Sequence, residues 1–258
     1  MQQPAAIPRE RIEQAATLCA LAQQSRRREP CAECNALDEL NTGLAAEGLQ
    51  LLESLQFNTF PLGLCSGFIA QEPRTGSIVV VLSAAFDWQQ APMPQFWDRV
   101  VDWRGYGRVA QVFAQTAANL EDTVRWALRR VTPRAGRYFQ VYGFGLAAPV
   151  AYLLNLDAVP RAIELGFEAR LPILFACPKF VDSRFKQWAQ LGSILSLALD
   201  GDWLPRMPVT PLNWQFEWPA TPLAIDLGYK PLFDDPQRPA QTVQVLPSAY
   251  LAALLRIK

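Results

Sequence analysis

The sequence predicts an α/β protein, a mostly parallel sheet with helices on both faces, and three observations carry that expectation. Ser77-Ile78-Val79-Val80-Val81-Leu82 is a near-continuous β-branched run behind a Pro73/Gly76 turn, the pattern of a strand covered on both faces. Residues 138–156 carry no charge, yet Gln140, Asn155, Pro149 and the Gly143-Phe144-Gly145 interruption spoil them as a membrane span, which wants about 20 mostly apolar residues. They divide instead into a buried strand, a tight turn and a buried helix. Strand and helix signals then alternate through the middle of the chain, as α/β architectures require.

Each element follows from local pattern. Residues 9–24 predict an amphipathic helix, with Ile12, Ala15, Ala16, Cys19 and Ala20 on one side. A second helical stretch, 36–55, carries Leu37, Leu40, Leu44 and Leu51. Residues 57–70 predict a turn and a short strand, and 77–82 the buried strand. Val109, Val112, Phe113, Leu120, Val124, Leu128 and Val131 fall at helical spacing over 108–131, with a stop at Thr132-Pro133. Strand 137–142, turn Gly143–Gly145 and helix 146–155 follow. Next come strand 171–176, a helix over 182–191 with Asp182 as N-cap and Gly192 beyond its end, and strand 193–199. Nine of the 21 prolines lie between 205 and 247, so the last part of the chain predicts a loop-rich wrapping tail with one hairpin. Without repeats or a low-complexity linker, residues 1–258 are expected to form one domain. It has N-terminal helices over 9–55, a core over 58–210 and a proline-rich tail over 211–258.

Composition limits the chemistry. The chain has 258 residues and no histidine, which excludes imidazole acid–base work, Ser-His-Asp and Cys-His catalysis and histidine metal sites. Twenty-four basic residues balance 24 acidic ones, which argues against nucleic acid as a partner, since phosphate binding needs a basic surplus. The one basic run, Arg26-Arg27-Arg28, meets Glu29 at once and reads as a solvated helix end. Five cysteines, an odd number, and charged Arg9, Glu10, Arg11 and Glu13 where a signal peptide would be apolar, favour reduced thiols in a cytoplasmic protein. Cys31 and Cys34 form a C-x-x-C without a second ligand pair, so neither metal nor cofactor is expected.

Four segments resemble the class 3 (fungal-type) lipases of the α/β-hydrolase fold, over roughly residues 58–210. Val79-Val80-Val81-Leu82-Ser83-Ala84-Ala85 looks like the family's strand ending in Arg-Gly-Thr or Arg-Gly-Ser. Gly105-Tyr106-Gly107-Arg108-Val109-Ala110, with Phe113, resembles the stretch entering the helix before the nucleophile strand. Val141-Tyr142-Gly143-Phe144-Gly145-Leu146-Ala147-Ala148 sits where the family has Gly-His-Ser-Leu-Gly-Gly. Phe175-Ala176-Cys177-Pro178-Lys179-Phe180-Val181, then Asp202-Trp203-Leu204-Pro205-Arg206-Met207-Pro208, resembles Phe-Gly-Ser-Pro-Arg-Val-Gly followed by Asp-x-Val-Pro-x-x-Pro.

The resemblance implies a strained strand-to-helix elbow carrying a nucleophile, an acid and a histidine. Here the nucleophile position is Gly145, the residue before it is Phe144, and Asp202 matches the acid. The family histidine would fall near Pro247-Ser248-Ala249-Tyr250, which holds no imidazole. Asp202 is therefore expected to cap or turn the chain. The oxyanion hole implied by the resemblance uses the backbone N–H groups of Ala85 and Leu146, which are either still able to bind an oxygen or plugged by Phe144 and its neighbours. Cys177, Ser66, Ser83 and Ser183 are other nucleophile candidates, each without an identifiable base. Lys179 and Lys186 are the lysines nearest to Cys177 in sequence.

The segment matching the family lid, from Phe86 to Trp97 and on to Trp103 and Tyr106, is aromatic. Trp88, Phe96, Trp97 and Trp103, with Phe144, either pack a closed lid or present a face to a protein or lipid surface. Trp203, Trp214 and Trp218 are expected to fix the tail to the body. The functional expectation is a catalytically inactive lipase-like protein kept for protein or lipid binding, regulation or assembly. Its alternatives are a hydrolase with a non-standard site and a peripheral membrane lipid-binding protein.

Overall fold

The structure is a computed structural model that describes residues 7–24, 33–59, 63–84, 97–131, 134–189, 194–199, 202, 204–208, 216–225 and 247–256. An eight-stranded sheet is built from β1 (Gln50–Thr59), β2 (Gly63–Glu72), β3 (Ser77–Ala84), β6 (Tyr138–Gly145), β7 (Glu168–Ala169), β8 (Ile173–Phe175), β9 (Leu195–Leu199) and β10 (Leu223–Ile225). Its order is β1-β2-β3-β6-β8-β9-β10, with β7 paired to β6. The β1–β2–β3 edge is antiparallel, and β3, β6, β8, β9 and β10 run parallel. A separate small hairpin joins β4 (Val100–Asp102) to β5 (Arg108–Ala110). This is the predicted α/β architecture.

Helices cover both faces, and the alternation of β6 shows how. Gln140 meets Arg11 of α1 (Arg9–Gln24), and Phe144 meets Tyr250 of α6 (Pro247–Arg256). Gly143, of opposite parity, meets Ala148 and Ala151 of α4 (Ala147–Glu164). Successive strand residues point to opposite faces, so α1 and α6 lie on one face and α4 on the other, with α3 (Gln111–Arg130) packed beside α4. Every residue of β3 is buried, as the β-branched run predicts for a strand covered on both sides. The uncharged run over 138–156 is strand, turn and helix. No helix among the described residues is long and apolar enough to cross a membrane.

Several element boundaries differ from expectation. The predicted helix over 36–55 is α2 (Glu33–Ala46), and Gln50 already opens β1. Gly48 is the missed stop. At φ +72° it closes a C-terminal motif in which Leu49 N–H donates to Leu44 O and Gly48 N–H to Ala45 O. The helix expected to begin at 108 begins at Gln111, because Arg108–Ala110 pairs with β4. The helix expected over 146–155 continues through Pro160 to Glu164. It stops by the same glycine motif at Gly166, where Phe167 N–H donates to Ala162 O. Proline removes one helix donor, yet this helix buries Ala158 before it and Ala162 after it. In the tail, β10 adds to the sheet parallel to β9 and α6 packs against α1; the rest of the stretch expected to hold a hairpin lies outside the described residues. Helix α5 (Ser183–Ala189) has the expected cap, with Phe185 N–H donating to Asp182 Oδ1 at 2.8 Å. Gly192, Cys31 and the Thr132-Pro133 stop lie outside the described residues.

Candidate functional site

The parallel register sets Ala84 of β3 opposite Gly145 of β6, and α4 follows almost at once. Two glycines make this turn possible. A Cβ on Gly143 would stand 2.7 Å from Ala151 Cβ and 2.8 Å from Ala148 Cα, so the absence of a side chain lets α4 approach the strand closely. Gly145 has φ +63°, and a Cβ there would stand 2.2 Å from the Ala84 carbonyl oxygen. That space belongs to backbone, which cannot swing aside as a side chain can. The Leu146 N–H is also committed, donating to the same Ala84 oxygen at 3.3 Å, and Leu146 is fully buried. The oxyanion hole is expected either to stay able to bind an oxygen or to be plugged by Phe144 and its neighbours; at Leu146 it is a backbone carbonyl that takes the N–H. Ala85, its expected counterpart, lies outside the described residues.

Asp202 is brought to the same end of the sheet. It is 5% exposed, and Leu204 beside it places Cδ2 3.6 Å from where a Gly145 Cβ would be. Its Oδ1 accepts the Leu204 N–H at 3.1 Å, a turn-capping role of the kind expected. Its Oδ2 accepts the Tyr250 hydroxyl at 2.6 Å. Tyr250 in turn accepts the Leu199 N–H at 3.1 Å. Burial pushes the Asp202 carboxyl above the usual carboxylate range, while the Tyr250 and Leu204 donors pull it partly back. Burial and the neighbouring Asp202 push the Tyr250 phenol well above its ordinary value.

Tyr250 is the residue that sequence reasoning undervalued. It was one of four in a tail segment; in the fold it is fully buried and holds three strands' ends together. Its ring sits edge-on to Phe144, with centroids 5.5 Å apart, and to Phe175, with centroids 5.6 Å apart. The signal available was a phenol in an otherwise apolar tail helix, since a buried tyrosine hydroxyl needs a partner.

The aromatic residues expected at a lid or surface are packed inside where they are described. Trp97 is 1% exposed, donates its indole N–H to Lys179 O at 2.8 Å and meets Phe113 edge-on. Trp103 and Phe144 are buried too, so these three form no exposed binding face. Trp88, Phe96, Trp203 and Trp214 lie outside the described residues. Trp218 fixes the tail as expected, donating to Pro205 O at 2.7 Å.

The other nucleophile candidates are held elsewhere. Cys177 is buried, and burial raises its thiol far out of the reactive range. Ser66 donates to Ala22 O at 2.6 Å and Ser83 to Gln23 Oε1 at 3.2 Å, both under α1. Ser183 opens α5 on the surface. Lys179 lies over the Trp218 ring, 4.8 Å from its centroid, and Lys186 pairs with Glu217. No group of three or more metal-ligating side chains occurs among the described residues.

Comparison with known proteins agrees with this architecture. A family described as Lipase (class 3) matches residues 79–211. The lipase of Rhizopus microsporus var. chinensis superposes with a TM-score of 0.63 at 15% identity, over 88% of this chain and 80% of that one. Lipase II from Rhizopus niveus gives 0.62 at 14%, over 82% and 79%. A mono- and diacylglycerol lipase from Aspergillus oryzae gives 0.60 at 16%, over 84% and 79%. No curated protein sequence matches significantly.

Proposed function

The chain belongs to the class 3 lipase family, and from that premise we propose that it is a catalytically inactive member, a lipase scaffold kept for binding rather than hydrolysis. The observation that carries this reading is the Ala84 carbonyl oxygen. It lies 2.2 Å from where a side chain on Gly145 would begin, and it takes the Leu146 N–H. A hydrolase elbow needs both of those spaces, one for its nucleophile and one for the developing oxyanion. The whole chain lacks histidine. The carboxylate that would orient one is engaged by a phenol, which stays protonated near neutral pH and is a poor general base.

In this reading the former catalytic end of the sheet has become a packing joint. Tyr250 ties α6 to Asp202, Phe144 and Phe175 in place of a movable histidine loop. What the scaffold binds, a protein partner or a lipid surface, belongs to the same proposal. With Trp97, Trp103 and Phe144 buried, a binding face is sought elsewhere on the molecule.

Hydrolysis of p-nitrophenyl butyrate and of emulsified trioctanoin by the purified chain tests the proposal. The expected result is no turnover above the buffer rate. Turnover that is abolished by Asp202→Ala or Cys177→Ala would overturn it, because it would place a working site among these residues.

A further inference from the structure

A cleft of about 380 Å³ opens along the later turns of α4, away from the elbow, where that helix, α5 and the loop from β7 to β8 meet. Asn155, in its lining, lies eight residues beyond Ala147, roughly 12 Å along the helix axis at the usual rise. The volume falls within the range of small-molecule sites, about 300–1,000 Å³.

One wall is a fixed aromatic pair. Tyr106 and Trp188 stack with ring centroids 3.9 Å apart and 20° between planes. Tyr106 is set by the tight β4–β5 turn, where Gly105 and Gly107 take φ +81° and +145°. Arg184 donates to Gly105 O at 3.1 Å, and a Cβ on Gly107 would stand 2.5 Å from Phe185 N. Phe185 links the pair to α4, its ring edge-on to Trp188 at 5.5 Å and to Tyr152 at 6.4 Å between centroids. Tyr152 stands three residues before Asn155, on the same side of the helix. The wall is thus built in advance rather than assembled by a ligand.

Two oxygens in the lining lack donors. Asn155 is 6% exposed, and its Oδ1 has no hydrogen-bond partner. A buried carboxamide oxygen left unpaired is costly and calls for an explanation. Leu156 and Pro160 line the cleft too, and proline has no N–H, so the Leu156 carbonyl lacks the donor that a helix supplies four residues on. No cation answers these oxygens from within the cleft. Arg170 is the one charged residue of the lining among those described, and its guanidinium lies over Tyr138, 3.5 Å from the ring centroid, on the α1 face of the sheet. The cleft therefore presents carbonyl oxygens and ring faces, both negative in partial charge. Such a set already holds a cation elsewhere in this chain: Arg137 donates to Val131 O and Leu165 O and lies over the Phe167 ring.

We propose that this cleft binds a small primary organic ammonium, its N–H groups on Asn155 Oδ1 and the Leu156 carbonyl and its apolar body against the Tyr106–Trp188 wall. An ammonium brings three donors and no acceptor, which matches two unpaired oxygens better than a group with lone pairs of its own. The site is independent of the elbow and stands whether or not the chain hydrolyses esters.

Titration of the full-length chain with 2-phenylethylammonium at pH 7.5 and fixed ionic strength, read by tryptophan fluorescence and by Tm, tests it. The comparators are 2-phenylethanol, 3-phenylpropionate and trimethyl(2-phenylethyl)ammonium. Expected are saturable binding and a dose-dependent rise in Tm for the primary ammonium. Binding about tenfold weaker is expected for the alcohol and for the trimethyl cation, and weaker still for the acid. Asn155→Leu is expected to weaken the primary ammonium about tenfold while raising the Tm of the free protein. Pro160→Ala, which returns a donor to the Leu156 carbonyl, should also weaken it and raise that Tm. Absence of saturable binding at millimolar 2-phenylethylammonium would overturn the site. Equal or tighter binding of the alcohol or the acid would overturn the preference for a cation. Equal binding of the trimethyl cation, or full affinity in Pro160→Ala, would overturn the role of the two oxygens even if Asn155→Leu failed to fold.

Discussion

The Tyr250 hydroxyl donates to Asp202 Oδ2 at 2.6 Å, joining the C-terminal helix to the loop that follows β9. Both groups are buried, so losing the donor leaves a carboxylate poorly solvated. Tyr250→Phe is therefore expected to cost about 1–3 kcal/mol, the range for leaving a buried acceptor without its donor. The cost has a pH dependence whose sign is fixed by burial. The Asp202 carboxyl is raised in the folded state. Its protonated form therefore favours folding below the unfolded value near about 3.9, and that advantage fades as pH rises through the folded value. Removing the phenol raises the folded value further, so the variant loses more stability at pH 8 than at pH 4. Urea unfolding at the two pH values checks this. Asp202→Asn in the Tyr250→Phe background should remove the difference.

Gly145→Ser is expected to destabilise by about 2 kcal/mol or more. A left-handed conformation costs a non-glycine residue about 1–2 kcal/mol, and the new Cβ would also press on the Ala84 oxygen, 2.2 Å away. Gly145→Ser combined with Tyr250→His restores the residue types of a hydrolase but not its space, because Leu146 N–H still meets Ala84 O. No ester hydrolysis is expected from the pair. A Tm equal to the parent for Gly145→Ser would contradict the geometry of the elbow, and turnover by the pair would contradict the reading of it.

Ala176 follows β8 with φ +53°, one of two non-glycine residues with positive φ among those described. It occupies the glycine position of the Phe-Gly-Ser-Pro pattern that this segment resembles. Relief of about 1–2 kcal/mol of backbone strain is offset by the extra unfolded-state entropy of glycine, about 0.5–1 kcal/mol. Ala176→Gly is therefore expected to stabilise by about 0.5–1 kcal/mol. An upward shift in the urea midpoint with an unchanged slope would bear that out, while a loss would place compensating contacts at the Ala176 methyl.

The sequence revealed the interior of the sheet better than its edges. The run at 77–82 and the uncharged stretch 138–156 declare themselves because a strand covered on both faces must be apolar throughout, and β3 and β6 lie at the centre. The edge strand β1 is hidden in a leucine-bearing segment predicted as helix to residue 55, whose real stop is Gly48. At the site, residue identity was legible for Gly145 and Asp202. What those identities mean depends on atoms contributed by distant backbone. No spacing rule announces that Ala84 O fills the place of a side chain, or that Tyr250 reaches Asp202 across 48 positions.

Arg137 supplies the last prediction, from the ends of two helices. It is 3% exposed, and its guanidinium donates to Val131 O at 3.4 Å and to Leu165 O. Those carbonyls belong to the C-caps of α3 and α4, where helix dipoles concentrate negative charge. The cation also lies over Phe167, 4.0 Å from the ring centroid. A buried arginine without a carboxylate is tolerable only where carbonyl oxygens and a ring face replace water. Arg137→Met keeps most of the side-chain volume, removes the charge and leaves both carbonyls without this donor. The expected cost is about 2–4 kcal/mol, from two charge-assisted hydrogen bonds at about 1.5–3 kcal/mol each less the desolvation of the cation. Arg137→Lys should recover part of it, since an ammonium keeps the charge but cannot fork to two helix ends. Equal losses for Met and Lys would show that the planar fork matters more than the charge. No loss for either would remove Arg137 as the tie between α3 and α4.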